Sequence, residues 1–189
     1  MICLTSTITG MSETDEIEHC LRDIARGSAA PALEKLYHCT KDAIYGYALS
    51  MLKNTFDAED VLHDCYISIW QSAHSYSSAG RPMAWILTIT RNLCLDKLRM
   101  RSRMTDLPDE NWEQYLDSRS SISIEDKLLI EFCLDRLNDD EREILLLHVL
   151  SGLKHREISE LTNRPLATVL SKYHRALKKL RAILKEEDR

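Results

Sequence analysis

One segment near the C-terminus combines hydroxyls and cations in a pattern suited to nucleic acid. Residues 161–185 contain no acidic side chain, although the whole chain has a formal net charge of -5. In a helix, the outward face of this segment carries Thr168, Ser171, Lys172, Arg175 and Lys179. Such side chains meet base edges and phosphates when a recognition helix enters a major groove. A helix exposed only to solvent usually mixes Glu with Lys, so we favour DNA contact over a plain surface helix.

A second segment, 82–103, offers stacking and base-edge hydrogen bonding on one face. Opposite its apolar side, a helix over this segment presents Trp85, Thr88, Ile89, Asn92, Asp96 and Arg99. This mixture is typical of surfaces that bind single-stranded nucleic acid. Further cations, which bind phosphates but also suit a helix C-terminus, are Lys97, Arg101 and Arg103. The alternative is that Trp85 belongs to the core and Asn92 is a tolerated surface residue.

A third segment, 57–73, predicts an amphipathic helix with an acidic outer face. Asp57 is a candidate N-cap, and the apolar stripe consists of Ala58, Val61, Leu62, Cys65, Ile69 and Ala73. The face that points away from this stripe carries Glu59, Asp60, His63 and Asp64. Carboxylates near a helix N-terminus are stabilised by the helix dipole. The residues alone therefore leave two interpretations open, a solvated face or a docking surface for a basic partner.

Cysteine, metal and catalytic patterns point away from an enzyme. The six cysteines lie singly, with no C-x-x-C pair, as expected for reduced thiols inside a cell. A metal or redox sensor remains an alternative because of His19-Cys20, His38-Cys39 and His63-Asp64-Cys65. These pairs lie on separate predicted helices and lack the usual ligand spacing. The chain contains no phosphate loop, nucleophile elbow or H-E-x-x-H motif, so we expect no catalytic residues, cofactor or metal.

The elements that position these residues are predicted to be all α-helical. Apolar residues recur at three- and four-residue steps, and the chain has only 5 Gly and 4 Pro. The periodicity predicts two small helical domains, 13–104 and 123–189, joined by a flexible acidic linker over 105–122. We expect residues 1–12 to be disordered, with Met1 or Met11 as the start. Without a secretion signal or membrane span, the predicted location is the cytoplasm.

In the second domain, local signals predict a helix-turn-helix. Asn138 and Glu141 have the spacing of a capping box that opens one helix, and Gly152 is placed to end it. A short helix then spans about 154–161 and is followed by a turn in which Asn163 can take a positive φ. A third helix follows and buries Val169, Tyr173, Ala176, Leu177 and Leu180.

Taken together, the three segments resemble the extracytoplasmic-function class of bacterial sigma factors, over nearly all of 16–184. The resemblance rests on the segment Asp57-Ala-Glu-Asp-Val-Leu-His-Asp-Cys-Tyr-Ile-Ser-Ile-Trp70, on 84–99, and on the helix-turn-helix, in that order. It implies a region 2 bundle and a region 4 helix-turn-helix. It also implies a promoter-specificity subunit that binds core RNA polymerase at its clamp coiled coil and flap, and promoter DNA. An anti-sigma factor, often membrane-bound, commonly holds such proteins inactive.

The resemblance also assigns roles to individual residues. Core polymerase binding falls to the acidic face and its cap, Asp57, Glu59, Asp60, His63 and Asp64. The minus-ten element is read and melted by Tyr76, Arg81, Trp85, Thr88, Asn92, Asp96 and Arg99, with the loop 76–82 forming a pocket for a flipped base. The minus-thirty-five element is contacted by His155, Thr168, Leu170, Ser171, Lys172, His174, Arg175 and Lys179.

Departures from the family pattern bear on promoter preference. Asn163 and Ala167 stand where glycines are usual, Leu170 stands where a basic residue is frequent, and Lys172 replaces a frequent arginine. Lysine lacks the bidentate geometry with which arginine binds guanine, so the preferred minus-thirty-five sequence is expected to differ.

Two alternatives remain at this point. The acidic linker side chains either mimic RNA phosphates in the polymerase cleft or only keep the linker soluble; they are Asp106, Asp109, Glu110, Glu113 and Asp117. The chain as a whole could instead be a dimeric helix-turn-helix regulator whose first domain is a sensor. Tight association with core polymerase distinguishes the sigma factor from such a regulator.

Overall fold

The computed structural model describes residues 12–27, 29–77, 80–103 and 124–187. All regular secondary structure in these ranges is helical, which confirms the predicted class. The first bundle comprises α1 (Glu13–Ala25), α2 (Ala29–Leu52), α3 (Thr55–Ser72), a 3-10 turn (Ala73–Ser75) and α4 (Pro82–Arg103). The second comprises α5 (Ile124–Asp135), α6 (Asp139–Ser151), α7 (His155–Thr162) and α8 (Leu166–Glu187). The predictions for residues 1–11 and for the linker 105–122 lie outside the described residues.

The first bundle is held by apolar side chains that recur along one side of each helix. Burial of such side chains is the main favourable contribution to folding. The fully buried members include Leu21, Leu36, Ile44, Val61, Ile69 and Ile86. Two hydrogen bonds cross this core, one between the hydroxyls of Thr40 and Tyr66 at 2.7 Å and one between Cys65 Sγ and Thr90 Oγ1 at 3.3 Å. These four polar groups are thereby paired, and α3 is fixed against α2 and α4.

The start of α3 corrects one prediction. Asp57 was expected to cap this helix, but the N-cap is Asn54, whose Oδ1 accepts a 2.9 Å hydrogen bond from the Asp57 backbone N–H. Both residues can cap a helix. Thr55 is buried, so the helix begins earlier and Asp57 lies within its first turn. There its carboxylate still lies near the positive end of the helix dipole.

The local signals of the second bundle are confirmed. Asn138 Oδ1 accepts from the Glu141 backbone N–H at 2.9 Å, and the Glu141 carboxylate accepts from the Asn138 N–H at 3.2 Å. Gly152 ends α6 with φ 68°, and Asn163 ends α7 with φ 52°. Val169 and Ala176 are fully buried, whereas Tyr173, Leu177 and Leu180 are only partly buried. The turn between α7 and α8 is therefore built as its residues predict.

The two bundles pack directly against each other. Tyr47 of α2 and Leu87 of α4 share one buried cluster with Ile144, Leu147 and Val169 of the second bundle. Polar contacts also cross the interface, including a 3.4 Å hydrogen bond from Arg142 Nη1 to the Ser50 carbonyl. The helix with the proposed minus-ten residues and the helix-turn-helix are therefore attached to one common core. The sequence patterns did not predict this contact.

Five cysteines lie in the described ranges, and none of them forms a disulfide there: Cys20, Cys39, Cys65, Cys94 and Cys133. Burial raises the pKa of Cys65 to about 11 and that of Cys94 to about 12. Among the helices that the structure describes, none combines the length and apolar character needed to cross a bilayer. The same ranges contain no cluster of three His, Cys, Asp or Glu side chains arranged for a metal ion.

Candidate nucleic-acid interface

The acidic face of α3 is displayed on the surface. Glu59, His63 and Asp64 are exposed, and the Asp60 side chain is 64% exposed. Lys97 of α4 reaches across, with Nζ 2.7 Å from Asp60 Oδ2 and 3.5 Å from Asp57 Oδ1. The hydrogen bond from Lys97 lowers the pKa of Asp60. The Asp60 carboxylate is therefore ionised at neutral pH, and Lys97 partly neutralises the edge of the face that meets α4.

The same face of α3 contains large apolar side chains that the sequence reasoning missed. Phe56 is 65% exposed, Ile67 52% and Trp70 57%. Together with Asp60 and His63 they follow steps of three and four residues, so they form one stripe on the helix surface. An exposed row of apolar side chains marks an interaction site more often than scattered ones do. The signal was present in the sequence, as large apolar residues recurring at helical spacing on the charged side.

The outward face of α4 is exposed toward its C-terminal end and half-buried toward its N-terminal end. Asn92, Asp96 and Arg99 are exposed, and Arg99 Nη1 lies 2.9 Å from Asp96 Oδ1. Thr88 is half-buried and donates its hydroxyl to the Ala84 carbonyl at 2.7 Å. Asn92, Asp96 and Arg99 are therefore accessible polar groups, on the side of the helix that the sequence predicted.

Trp85 and Tyr76 form an aromatic corner at the start of α4. Their ring centroids are 5.2 Å apart with planes tilted by 57°, and both rings pack partly against the first core. The Tyr76 hydroxyl donates a 2.6 Å hydrogen bond to Glu18 of α1. Burial and this carboxylate raise the pKa of Tyr76, so its hydroxyl stays protonated. Trp85 thus belongs partly to the core and partly to the surface, between the two interpretations open from the sequence.

The recognition face of α8 is only partly free. Leu170, Ser171, His174 and Arg175 are exposed, and Thr168 is half-buried. Arg175 Nη2 donates to Ser171 Oγ at 2.8 Å. These side chains occupy the first turns of the helix, where a recognition helix meets base edges.

Two predicted contact lysines are instead bound by acids of α6. Lys172 Nζ lies 2.6 Å from Asp140 Oδ2, and Lys179 Nζ lies 2.6 Å from Glu141 Oε2. The hydrogen bond from Lys172 lowers the pKa of Asp140. For either lysine to contact DNA, a phosphate or base acceptor must replace a carboxylate that is already hydrogen-bonded. A DNA contact by Lys172 therefore costs more free energy than one by the exposed Arg175.

His155 does not face outward as the DNA contact that was predicted. Its ring stacks on His148 at 4.7 Å and meets the Tyr173 ring edge-on at 4.5 Å. Its Nε2 is buried and has no hydrogen-bond partner within the described residues. Burial, with a smaller effect of the neighbouring His148 and His174, lowers the pKa of His155. In this arrangement His155 helps to hold α6, α7 and α8 together.

An ion-pair network connects α4 to the helix-turn-helix. Glu143 of α6, with a side chain 5% exposed, accepts from Arg91 Nε of α4 at 2.7 Å and from Arg164 Nη1 at 2.6 Å. Arg164 also binds Asp140 at 2.6 Å, so the network continues to Lys172. Arg81, before α4, pairs with Glu157 of α7. Both proposed reading surfaces are thus tied to the same acidic helix.

Comparison with known proteins is consistent with this arrangement of surfaces. Residues 36–104 match the family model for sigma-70 region 2, and residues 127–180 match the model for sigma-70, region 4. The chain is 27% identical over 191 residues to the ECF RNA polymerase sigma factor SigK of Mycobacterium sp. (strain KMS), covering 97% of this chain and 98% of that protein. It is 26% identical to SigK of Mycobacterium tuberculosis (strain ATCC 25177 / H37Ra), covering 90% and 95%.

Two solved structures share the fold. One is the sigma factor RpoE in complex with the anti-sigma factor NepR from Bartonella quintana, with a TM-score of 0.62 and 22% identity, covering 80% of this chain and 96% of that chain. The other is CnrH in complex with the cytosolic domain of CnrY, with a TM-score of 0.58 and 21% identity, covering 92% and 98%.

Proposed function

We propose that this chain, which belongs to the extracytoplasmic-function class of sigma-70 factors, is a dissociable promoter-specificity subunit. It binds core RNA polymerase in the cytoplasm, directs it to promoters with two spaced elements, and opens the duplex, while the polymerase performs the chemistry. The observation that carries this function is the presence of three surfaces in one chain: the outward face of α3, the exposed face of α4, and the helix-turn-helix. The outward face of α3, with its exposed acids and its row of apolar side chains, is called the α3 stripe. Run-off transcription with core polymerase on genomic fragments tests it, and a complete absence of transcripts that depend on this chain contradicts it.

Core polymerase binding is assigned to the α3 stripe. Exposed carboxylates at Glu59, Asp60 and Asp64 attract a basic partner, and the apolar side chains at Ile67 and Trp70 supply area for a packed contact. Aromatic and aliphatic anchors generally dominate interface energies, whereas rim charges mainly guide association. The stripe therefore fits a basic helical element that also offers apolar side chains.

This assignment is tested by charge reversal. The double substitution of Asp60 and Asp64 by Lys is expected to abolish capture of core polymerase in a pull-down. The matched control reverses Glu34 and Asp42, two exposed acids of α2, and is expected to bind as the wild type does. Because Lys97 pairs with Asp60, far-ultraviolet circular dichroism must show that both variants remain folded. Unchanged capture by the Asp60 and Asp64 variant would exclude the stripe as the docking surface.

Minus-ten recognition is assigned to the exposed face of α4 and the aromatic corner. Asn92 offers both a donor and an acceptor to a base edge, and the Trp85 ring lies on the same face of the helix about two turns earlier, where a base could stack on it. Permanganate footprinting of holoenzyme on a transcribed promoter tests the assignment. Asn92→Ala is expected to weaken duplex opening while capture of core polymerase stays intact. Equal footprints for both proteins would exclude Asn92.

Minus-thirty-five recognition is assigned to the first turns of α8. Ser171 and Arg175 are exposed and hydrogen-bonded to each other, which holds the guanidinium toward the outward face. An arginine with bidentate geometry discriminates guanine by about 1–3 kcal/mol. Arg175→Ala is therefore expected to reduce transcription about tenfold or more and to relax preference at one position of the element, measured on promoters with single base changes.

Control by a protein partner is also part of the proposal. The two solved structures are complexes of RpoE with the anti-sigma factor NepR and of CnrH with the cytosolic domain of CnrY. By analogy, an anti-sigma factor binds this chain and prevents core docking. Affinity purification of the tagged chain from its own cells tests this, with the Asp60 and Asp64 variant separating partners that use the α3 stripe from those that do not.

A further inference from the structure

The second half of α8 carries an exposed row of cations that the proposed function has not used. We call this row the flank stripe; it consists of Lys178, Arg181 and Lys185 and begins beside His174. All four side chains are exposed. Within the described part of the chain, Lys178, Arg181 and Lys185 form no ion pair. The stripe thus differs from Lys172 and Lys179, which are bound by acids of α6.

The flank stripe lies on a distinct side of α8. At about 100° of rotation per residue, its three residues lie about 40–100° around the helix from the line through Ser171 and Arg175. The opposite side of α8, with Val169 and Ala176, is buried against the rest of its domain. We call the side of α8 with Ser171 and Arg175 the base-reading face. One of the two sides next to it is therefore packed against the protein, and the other carries the flank stripe.

A helix in a major groove has a phosphate backbone along each of its free sides. The groove is about 12 Å wide, close to the diameter of a helix with its side chains. When Ser171 and Arg175 point toward the bases, the flank stripe lies on the adjacent side of α8, in position to face one groove wall. Its cations recur every three or four residues, about 5–6 Å apart, so each can approach a different phosphate.

We infer that the flank stripe binds the phosphate backbone beside the minus-thirty-five element and supplies sequence-independent affinity there. This inference rests on the proposed function, because it requires that α8 enters the groove. An acidic protein surface is the other partner that such a stripe could fit. The backbone is favoured because the groove wall lies beside the base-reading face in any complex of this geometry.

The inference is tested by the salt dependence of DNA binding. Holoenzyme is assembled from core polymerase and this chain, and its affinity for a labelled promoter fragment that it transcribes is measured at several salt concentrations. The plot of log affinity against log salt has a negative slope, and each lost phosphate contact reduces the magnitude of that slope by about 0.9. The triple variant Lys178→Gln, Arg181→Gln, Lys185→Gln is expected to lower the slope by about 2–3, with unchanged preference among minus-thirty-five sequences.

A matched control removes the same amount of charge elsewhere. Arg26→Gln, Lys35→Gln and Lys41→Gln lie on or next to α1 and α2, and this variant is expected to keep the wild-type slope. A slope unchanged in the flank-stripe variant overturns the inference, and reduced transcription at unchanged slope points to an acidic protein partner. Failure of the proposed function is distinguishable, since wild-type holoenzyme would then transcribe no promoter or fail to form.

Discussion

Removal of the charge on Glu143 is expected to destabilise the protein strongly. This single carboxylate accepts hydrogen bonds from Arg91 of the first bundle and from Arg164 of the helix-turn-helix. The side chains of Glu143, Arg91 and Arg164 are 5%, 12% and 25% exposed. Glu143→Gln keeps the shape of the side chain but leaves two guanidinium groups facing a neutral amide. Arg164 retains Asp140, whereas Arg91 loses the only ion-pair partner that the described residues give it.

The magnitude follows from this burial. Breaking one partner of a buried ion pair costs about 3–5 kcal/mol. Because Arg164 keeps one carboxylate and is partly hydrated, we expect the lower end, about 3 kcal/mol. For a chain of this length, about 1 kcal/mol shifts the midpoint of thermal unfolding by about 2–4 °C. Glu143→Gln is therefore expected to lower the midpoint by about 6–12 °C.

A second ion pair across the same interface provides the control. Lys53 Nζ lies 3.3 Å from Asp135 Oδ1, but these side chains are 44% and 41% exposed. Exposed pairs contribute at most about 1 kcal/mol because water screens them. Asp135→Asn is thus expected to lower the midpoint by less than about 4 °C, measured by circular dichroism in the same buffer. If the two variants unfold at the same temperature, burial of the Glu143 pairs does not stabilise the interface and the reasoning fails.

Three further changes test other features of the structure. Tyr47→Phe removes a buried hydroxyl that has no hydrogen-bond partner within the described residues. Urea denaturation is therefore expected to show a free energy of unfolding about 1 kcal/mol higher than that of the wild type. A lower free energy of unfolding would reveal that the hydroxyl has a partner. Gly152→Ala is expected to lower the free energy of unfolding by about 1 kcal/mol in the same assay, because a φ of 68° is unfavourable for alanine. An added Cβ meets no atom within 4 Å, so no steric clash increases this loss. An unchanged free energy of unfolding would mean that the turn relaxes. His155 has a lowered pKa in the folded state, so its neutral form stabilises the protein above its ordinary pKa of 6.5 and this contribution is lost as the pH falls toward the lower folded value. His155→Gln is therefore expected to lose less stability than the wild type between pH 7.5 and 5.5, and equal losses would contradict this.

Features set by neighbouring residues could be predicted from the sequence. The capping box of Asn138 and Glu141 and the positive φ at Gly152 and Asn163 depend on side chains within a few residues, and all are present. The cap of α3 was assigned wrongly because Asn54 and Asp57 are both good caps. In the structure the helix begins at Thr55, which is buried, so that Asn54 takes the cap; local patterns do not reveal this burial.

Faces of helices could be predicted, but their partners could not. Asn92, Asp96 and Arg175 lie on the exposed sides that the helical period indicates. That Lys172 binds Asp140, 32 residues away in the chain, depends on how α6 and α8 pack. His155 turned inward for the same kind of reason, since the rings of His148 and Tyr173 approach it from two other helices.

Pairing of charges explains how a chain of net charge -5 retains a surface attractive to DNA. The acids at the start of α6 neutralise Lys172, Lys179 and Arg164, so these cations contribute little to the field outside the protein. Within the described residues, Arg175 and the flank stripe form no ion pair with these acids, whereas Lys172 and Lys179 do. Attraction over a distance of about one Debye length, roughly 10 Å at 0.1 M salt, is therefore expected to come mainly from exposed cations such as these. Lys172 can exchange Asp140 for a DNA acceptor only after α8 has reached the groove, so the first encounter depends on the flank stripe and sequence discrimination on the step that follows.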